Sequence, residues 1–191
     1  LPPWGEFVYT PAMPRSVPRV VIVGRTNVGK STLFNRLLGR RIAIVHSLEG
    51  VTRDRLEGTL LHDGKEAVLV DTGGLGADHP FSEGTERQAQ TAIQTGDLVL
   101  FLVDARKGTL PLDLQIARKL HRAARAVIVV VNKVDDPKQE DLAAEFHRLG
   151  FDAHCPISAL HGRGTDLLKD RIFSLLVPGP EVRTEQPPPL K

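Results

Sequence analysis

The fold follows from one stretch near the start of the chain, Gly24-Arg25-Thr26-Asn27-Val28-Gly29-Lys30-Ser31-Thr32. This stretch has the form G-x-x-x-x-G-K-[ST], which is the pattern of a phosphate-binding loop. An apolar run precedes it at residues 20–23, and apolar residues follow at helical spacing, namely Leu33, Phe34, Leu37 and Leu38. Strand, glycine-rich loop and helix are the context that the motif requires. A glycine-rich turn with a chance Lys-Ser pair is the alternative, and it is disfavoured because strand and helix are both in place.

The residue types of the loop suit a nucleotide phosphate. Backbone N–H groups gathered at the positive N-terminus of a helix form a ready anion site. Gly24 and Gly29 allow the backbone to come close where a Cβ would collide. We expect Lys30 to reach the β- and γ-phosphates and the Ser31 hydroxyl to ligate Mg²⁺.

Composition sets broad limits. With 191 residues the chain fits one domain with a full core. The net charge of +2 is only weak evidence for an RNA partner. The single cysteine, Cys155, excludes an internal disulfide and suits a reducing cytosol, so we expect a cytoplasmic protein. No apolar run approaches membrane-spanning length, and no signal-peptide layout is visible. The first residue is Leu rather than Met, which suggests a piece of a longer protein.

Strand-like runs alternate with helical patterns along the chain. Strands are predicted at residues 19–23, 97–103, 126–131 and 153–157, and an Asp63-Gly64 turn between two further runs predicts a hairpin. Helices are predicted at residues 81–95, 112–124, 138–149 and 165–176, the third with Leu142, Phe146 and Leu149 on one face. This alternation predicts an α/β P-loop NTPase fold. Its doubly wound, mostly parallel six-stranded sheet has one antiparallel edge strand and helices on both faces.

The proline distribution divides the chain into three parts. Residues 1–18 hold five prolines and are expected to form a flexible arm. Residues 19–177 form the predicted domain, and residues 178–191 form a proline-rich tail or linker.

A second cluster follows the hairpin, at Asp71-Thr72-Gly73-Gly74-Leu75. Asp71 ends a strand, where open α/β sheets bind ligands, and can hold Mg²⁺ through a water as the partner of Ser31. We expect the Gly74 N–H to approach a γ-phosphate oxygen. Thr52, in an irregular segment, offers oxygen to the same metal and phosphate. The alternatives are an ordinary turn after a strand and, for Thr52, a surface loop residue.

A third cluster predicts which base is bound. Asn132-Lys133-Val134-Asp135 follows a buried strand-like run. The Asp135 carboxylate can accept from the two N–H donors of the guanine edge, whereas adenine presents a lone pair there, and an unpaired buried polar group costs about 1–3 kcal/mol. Asn132 can address the O6/N7 side, and the Lys133 stem can lie along the base. The segment Ser158-Ala159-Leu160 would add a backbone N–H to guanine O6.

Five sequence features together resemble a translation-factor-class GTPase domain over residues 19–177: the phosphate loop at residues 24–31, Thr52, and residues 71–74, 132–135 and 158–160. Longer matches narrow this to a resemblance to the Der (EngA) family, carried by residues 50–54 (GVTRD), 71–75 (DTGGL), 132–135 (NKVD) and 156–164 (PISALHGRG). The resemblance implies a GTPase acting in assembly of the large ribosomal subunit on rRNA. It also implies that this is the first of two tandem G domains, followed by a KH-like domain. Thr26 stands where the family usually has Pro, and Leu48-Glu49 precede Gly50 where a Pro is usual; neither departure removes a ligand.

The residue after the Asp-x-x-Gly motif bears on the reaction. Many GTPases place a Gln there to orient the attacking water, but this chain has Leu75. Similarity to GTPases with this substitution implies a K⁺ ion near the phosphates, coordinated by Asn27, and slow intrinsic hydrolysis raised by K⁺ and a partner. The expected catalytic set is therefore Lys30, Thr52, Gly74 and Asn27. The alternative for Asn27 is a residue that only shapes the loop.

Three other functions remain open at this point. One is a module that senses GTP against GDP with negligible turnover, which Leu75 favours. Another is a related GTPase of tRNA modification or small-subunit assembly, and the last is an ATP-using P-loop kinase, which Asp135 argues against. The seven histidines show no paired metal spacing. The basic stretch at residues 118–125 is interpreted as a solvated face, with an RNA-binding patch as the less favoured alternative.

Overall fold

The structure, a computed structural model, describes residues 17–39, 56–72, 90, 94, 96–123 and 125–176. Its strands are β1 (Arg19–Val23), β2 (Leu56–His62), β3 (Lys65–Asp71), β4 (Leu98–Asp104), β5 (Ala126–Asn132) and β6 (His154–Pro156). Its helices are α1 (Lys30–Leu38), α2 (Pro111–Arg122), a 3₁₀ helix (Pro137–Leu149) and α3 (Thr165–Leu176). The helix predicted over residues 81–95 lies almost wholly outside the described residues, as do the N-terminal arm up to residue 16 and the tail.

The sheet has the order β2-β3-β1-β4-β5-β6. Among the strands that the structure describes, only β2 and β3 pair antiparallel; the predicted Asp63-Gly64 turn joins them, and β2 lies at one edge of the sheet. The pairs β1–β3, β1–β4, β4–β5 and β5–β6 are parallel. The predicted six-stranded sheet with one antiparallel edge strand is confirmed.

The core lies in two layers because side chains alternate across each strand. Val20 and Ile22 of β1 face one layer, which also holds buried residues of α1 and α3. Val21 and Val23 face the other layer, with buried residues of α2 and the 3₁₀ helix. The strand β4 is buried along its whole length, as expected for a strand covered on both faces. Helices therefore cover both faces of the sheet, as predicted.

The segment predicted as a helix over residues 138–149 differs in detail. It is a 3₁₀ helix, started by the Asp136 side chain, which accepts from the Lys138 N–H, and ended by Gly150 in a left-handed conformation. Phe146 and Leu149 are buried, but Leu142 is 42% exposed, so the prediction that Leu142 shares their face is wrong. At three residues per turn, positions three apart share a face, and a residue four before Phe146 points elsewhere.

Within the described parts of the chain, none of the helices is both long and apolar enough to cross a membrane.

Candidate nucleotide-binding site

The site lies where the parallel strands end, on both sides of β1. Ile22 of β1 is in register with Asp71 of β3, and Asp104 of β4 is in register with Asn132 of β5. The strand β1 has β3 on one side and β4 on the other, so the chain continues toward opposite edges of the sheet on the two sides of β1. Such a switch point opens a crevice at the carboxyl ends of the strands, which is where sheets of this kind bind ligands.

Two glycines are required by close packing of the phosphate loop. A Cβ on Gly24 would lie 2.4 Å from the Leu102 carbonyl oxygen of β4. A Cβ on Gly29 would lie 2.4 Å from the Asn132 side-chain nitrogen, and Gly29 also has a φ of 103°. Both glycines therefore serve close approach, as predicted, but the approaching groups in the protein are a strand carbonyl and a side-chain amide.

Lys30 is folded back into the loop that precedes it. Its Nζ donates to the carbonyl oxygens of Gly24 at 2.9 Å and Arg25 at 2.8 Å. The side chain is buried, and this burial lowers the pKa of Lys30, although the Asp71 carboxylate opposes the shift. A cation held inside a glycine-rich loop can exchange these carbonyl contacts for phosphate oxygens.

Two of the three predicted magnesium ligands, Ser31 and Asp71, meet. The Ser31 Oγ donates to Asp71 Oδ2 at 3.0 Å, although the two residues are 40 positions apart. A hydroxyl and a carboxylate are the oxygen ligands that Mg²⁺ uses beside nucleotide phosphates, so the donor set fits the ion. Next to Asp71, the Thr72 hydroxyl donates to the Ile22 carbonyl oxygen at 2.8 Å, which ties the end of β3 to β1. The other predicted residues on this side lie outside the described residues: Thr52, Gly73, Gly74 and Leu75.

Asn132 joins the phosphate loop to the last segment of the site. Its Nδ2 donates to the Val28 carbonyl oxygen at 2.8 Å, and its Oδ1 accepts from the Ala159 N–H at 2.9 Å. It is buried, so both contacts are shielded from water. This role in tying loops together agrees with one of its two predicted roles. The Ala159 N–H, one of the backbone groups considered for guanine O6, donates to Asn132 here.

Lys133 spans the region between the loop and β4. Its Nζ donates to the Asn27 carbonyl oxygen at 2.9 Å and to Asp104 Oδ2 at 2.7 Å. Both Lys133 and Asn27 have positive φ, at 71° and 64°. Asn tolerates this conformation, but Lys does so only when its surroundings fix it. The two contacts of Nζ lay the Lys133 stem across the crevice, where a base can lie along it.

Asp135 is held by two donors. The Ser158 Oγ donates to its Oδ1 at 2.6 Å, and an Arg106 guanidinium nitrogen donates to its Oδ2. The Ser158 hydrogen bond is the largest cause that lowers the pKa of Asp135; burial opposes it, and the nearby Arg106 charge lowers the pKa further. The lowered pKa favours the ionised, accepting form of the carboxylate, which is the form that guanine recognition needs. Leu160 follows on the same segment with its carbonyl oxygen bound by Arg36.

Arg25 was predicted to belong to the nucleotide loop, but its partner in the structure, Asp113, was not predicted. Arg25 Nε donates to both carboxylate oxygens of Asp113 in α2, at 2.8 and 3.0 Å, and both side chains are buried. Asp113 also accepts from the Leu110 N–H. Burial raises the pKa of Asp113, while the Arg25 charge opposes the rise. No spacing links residues 25 and 113, so nothing in a single sequence signals this pair.

Three features define a P-loop protein of the G-domain class: the crevice at the switch point, the glycine-rich loop after β1 and the Asn-Lys-x-Asp segment after β5. The family model described as 50S ribosome-binding GTPase matches residues 19–133. The chain belongs to this family of 50S ribosome-binding GTPases.

Curated relatives confirm the resemblance to Der. GTPase Der of Aquifex aeolicus is 46% identical over 160 residues, which cover 83% of this chain and 37% of that protein. GTPase Der of Akkermansia muciniphila is 47% identical over 162 residues, which cover 84% of this chain and 35% of that protein. The chain thus spans just over a third of the length of these relatives.

Solved structures agree with the fold. Aquifex aeolicus Era bound to GDP and AlF₄⁻ is 33% identical, with a TM-score of 0.68, and the match covers 86% of this chain and 58% of that one. The G domain of the FeoB iron transporter of T. maritima is 26% identical, with a TM-score of 0.66, and the match covers 85% of this chain and all of that domain. The predicted G-domain fold is therefore confirmed.

Proposed function

We propose that this chain binds GTP and hydrolyses it to GDP and phosphate as a conformational switch. The observation that carries the proposal is the placement of Asp135, whose carboxylate accepts a hydrogen bond from Ser158 and follows the two residues, Asn132 and Lys133, that bond the phosphate loop. A fixed carboxylate accepts from the N1–H and the exocyclic amine of guanine and meets a lone pair of adenine. Lys133 and Asn132, bonded to the carbonyl oxygens of Asn27 and Val28, hold this recognition segment against the loop that takes the phosphates.

On the phosphate side, Lys30 and the N–H groups of residues 24–32 are proposed to hold the β- and γ-phosphates. Ser31 and Asp71 are proposed to hold Mg²⁺, with Thr52 as a further ligand; the ion would neutralise charge on the phosphate oxygens. Thr52 and Gly74, together with Gly73 and Leu75, are proposed to change position with the γ-phosphate, which makes the switch.

Hydrolysis is proposed to be slow in the isolated chain. Leu75 cannot orient water, so intrinsic turnover on the order of 10⁻³ s⁻¹ or slower is expected, as for GTPases without a supplied positive charge. K⁺ bound by Asn27 is proposed to supply part of that charge. Asn27 fits this assignment because it is exposed at the tip of the phosphate loop.

The biological setting is proposed from the relatives. We propose that the chain serves assembly of the large ribosomal subunit, in contact with rRNA and in the cytoplasm. Within the whole protein it would be the first G domain, residues 19–177, after an arm at residues 1–18 and before a linker at residues 178–191. A second G domain and a KH-like domain would follow.

Single-turnover hydrolysis in K⁺ and in Na⁺ tests the catalytic half of the proposal. We expect faster turnover in K⁺, loss of that difference in Asn27→Ala, and its retention in Asn35→Ala, which removes an exposed Asn of α1. Equal rates in the two salts would refute the K⁺ assignment. Guanine-specific binding with no hydrolysis in either salt would instead favour a regulatory module that senses the nucleotide, which Leu75 makes the second candidate.

A further inference from the structure

The ends of β4 and β5 bring an arginine to the base-recognition carboxylate. Asp104 and Asn132 are in register, and the Ala105 N–H donates to the Asn132 carbonyl oxygen at 2.9 Å. The Arg106 N–H then donates to Asp104 Oδ1 at 2.9 Å, which fixes the backbone from which the Arg106 side chain leaves. Arg106 therefore lies two residues after the end of β4. Its partner Asp135 lies three residues after the end of the neighbouring strand β5.

The two donors reach Asp135 from different sides. Ser158 is fully buried, so its hydrogen bond closes the inner side of the carboxylate with protein. The Arg106 side chain is 58% exposed and bonds Oδ2, so it approaches from the solvent side. An incoming base must use that same side, because the other is filled.

Arg106 also matches the base chemically. A guanidinium presents N–H donors on two nitrogens joined through one carbon, in one plane. The N1–H, C2 and exocyclic amine of guanine form the same unit, so the guanine edge would compete for Asp135 Oδ2, to which one Arg106 nitrogen donates. Adenine has no such unit.

We infer that Arg106 competes with the guanine edge for the Asp135 carboxylate and must leave it before the base binds. This inference rests on the proposed function, since it assumes that Asp135 reads guanine. It makes Arg106 a residue that sets nucleotide affinity by competition. The fraction of chains with Asp135 free then scales the apparent affinity.

Competition predicts a particular kinetic signature. Arg106 blocks the carboxylate before the nucleotide binds and does not contact it in the nucleotide complex. Its removal should therefore raise the association rate of the nucleotide and leave the dissociation rate unchanged. Because an exposed ion pair is weak, its removal should raise the association rate about two- to fivefold. If Arg106 instead contacted the bound nucleotide, its removal would raise the dissociation rate.

The test is stopped-flow binding of fluorescent mant-GDP to the chain and to Arg106→Gln and Lys107→Gln. Lys107 is exposed and adjacent, so its replacement removes the same charge without touching Asp135. We expect about two- to fivefold faster association for Arg106→Gln alone, with unchanged dissociation. Arg106→Lys, which keeps the charge but loses the planar fork, should lie between Arg106→Gln and the unaltered chain.

Three results would overturn the inference: association unchanged in Arg106→Gln, an equal change in Lys107→Gln, or faster dissociation in Arg106→Gln. Each of them leaves guanine binding itself intact. Failure of the proposed function gives a different result, because the unaltered chain would then bind mant-ADP as tightly as mant-GDP. That result would also remove the basis of the inference about Arg106.

Discussion

The Asn132 side-chain nitrogen lies 2.8 Å from the Val28 carbonyl oxygen, and the ideal Cβ position of Gly29 lies 2.4 Å from that same nitrogen. One contact therefore ties the base-recognition segment to the phosphate loop and also requires glycine at position 29. Because Asn132 is buried and also bonds Ala159, it cannot move aside without losing these contacts.

Gly29→Ala is expected to damage both stability and binding. Strain at a φ of 103° and the loss of the Asn132 contacts should together lower the free energy of unfolding by about 2–4 kcal/mol and weaken GTP binding more than about tenfold. The matched control is Gly64→Ala, which has a φ of 72° but no atom within 4 Å of the added Cβ. It should cost about 1–2 kcal/mol and leave affinity unchanged. Urea unfolding and calorimetry measure the two effects; equal losses of affinity would contradict the account.

The Arg25–Asp113 pair gives a prediction about stability. Because both groups are buried, removing one leaves the other charge without its partner, which costs about 3–5 kcal/mol. Arg25→Met and Asp113→Leu should each destabilise by about this amount, and the double variant by much less than their sum. Urea unfolding of all four chains measures the coupling. Additive losses would show that the two charges do not depend on each other.

The same pair predicts a pH dependence. The pKa of Asp113 is raised by burial, so the folded chain binds more protons than the unfolded chain between the ordinary and the raised pKa, and stability is lost as pH rises through that window. Arg25→Met removes a charge that opposes this rise, so the pKa of Asp113 should rise further and the pH window should extend to higher pH. The free energy of unfolding of this variant should increase as pH falls from neutral, more steeply than for the unaltered chain. Parallel pH profiles would argue against a buried ionised Asp113.

Ser158 should control the ionisation of Asp135. The lowered pKa of Asp135 keeps the carboxylate ionised as pH falls through the ordinary range, and guanine binding should be lost only below it. Ser158→Ala should raise this pKa, because the Ser158 hydrogen bond is the largest single cause that lowers it. Carboxyl ¹³C NMR titration follows the group directly. Ser174→Ala, a hydroxyl on α3 that bonds only its own helix, should leave the pKa unchanged.

Much of the fold was predictable because its signals are local. Buried strands appear as continuous apolar runs such as β4, and the Asp63-Gly64 turn fixes the antiparallel pairing of β2 with β3. The motif residues fall at strand ends, so the parallel sheet itself brings Ser31 and Asp71 together. These inferences need only the order of elements along the chain.

The remaining features depend on distances between residues far apart in sequence. Arg25 and Asp113 meet only once α2 packs on the sheet, and the pairing leaves no periodic trace. Arg106 could have been found by noting that β4 and β5 are neighbours, since both then end at the same edge. The exposure of Leu142 was missed because helical spacing alone does not distinguish 3.6 from 3.0 residues per turn.

Asp135→Asn should change the base that is read. An amide offers one acceptor and one donor group where the carboxylate offers only acceptors, so one guanine N–H donor is left unpaired and GTP affinity should fall about 10- to 100-fold. Xanthine, which has an oxygen in place of the exocyclic amine, should gain affinity in the variant. Competition between GTP and XTP measures the change, with Asp141→Asn, an exposed carboxylate of the 3₁₀ helix, as the control. Unchanged GTP affinity would remove Asp135 from base recognition.

The most direct test of the central claim is calorimetric binding of GTP, GDP and ATP to the unaltered chain in the presence of Mg²⁺. We expect one site that binds GTP and GDP, with ATP at least about 100-fold weaker because adenine leaves the Asp135 carboxylate unpaired. Equal binding of ATP and GTP would contradict guanine recognition by this site, and no binding of any of the three would contradict the nucleotide site itself.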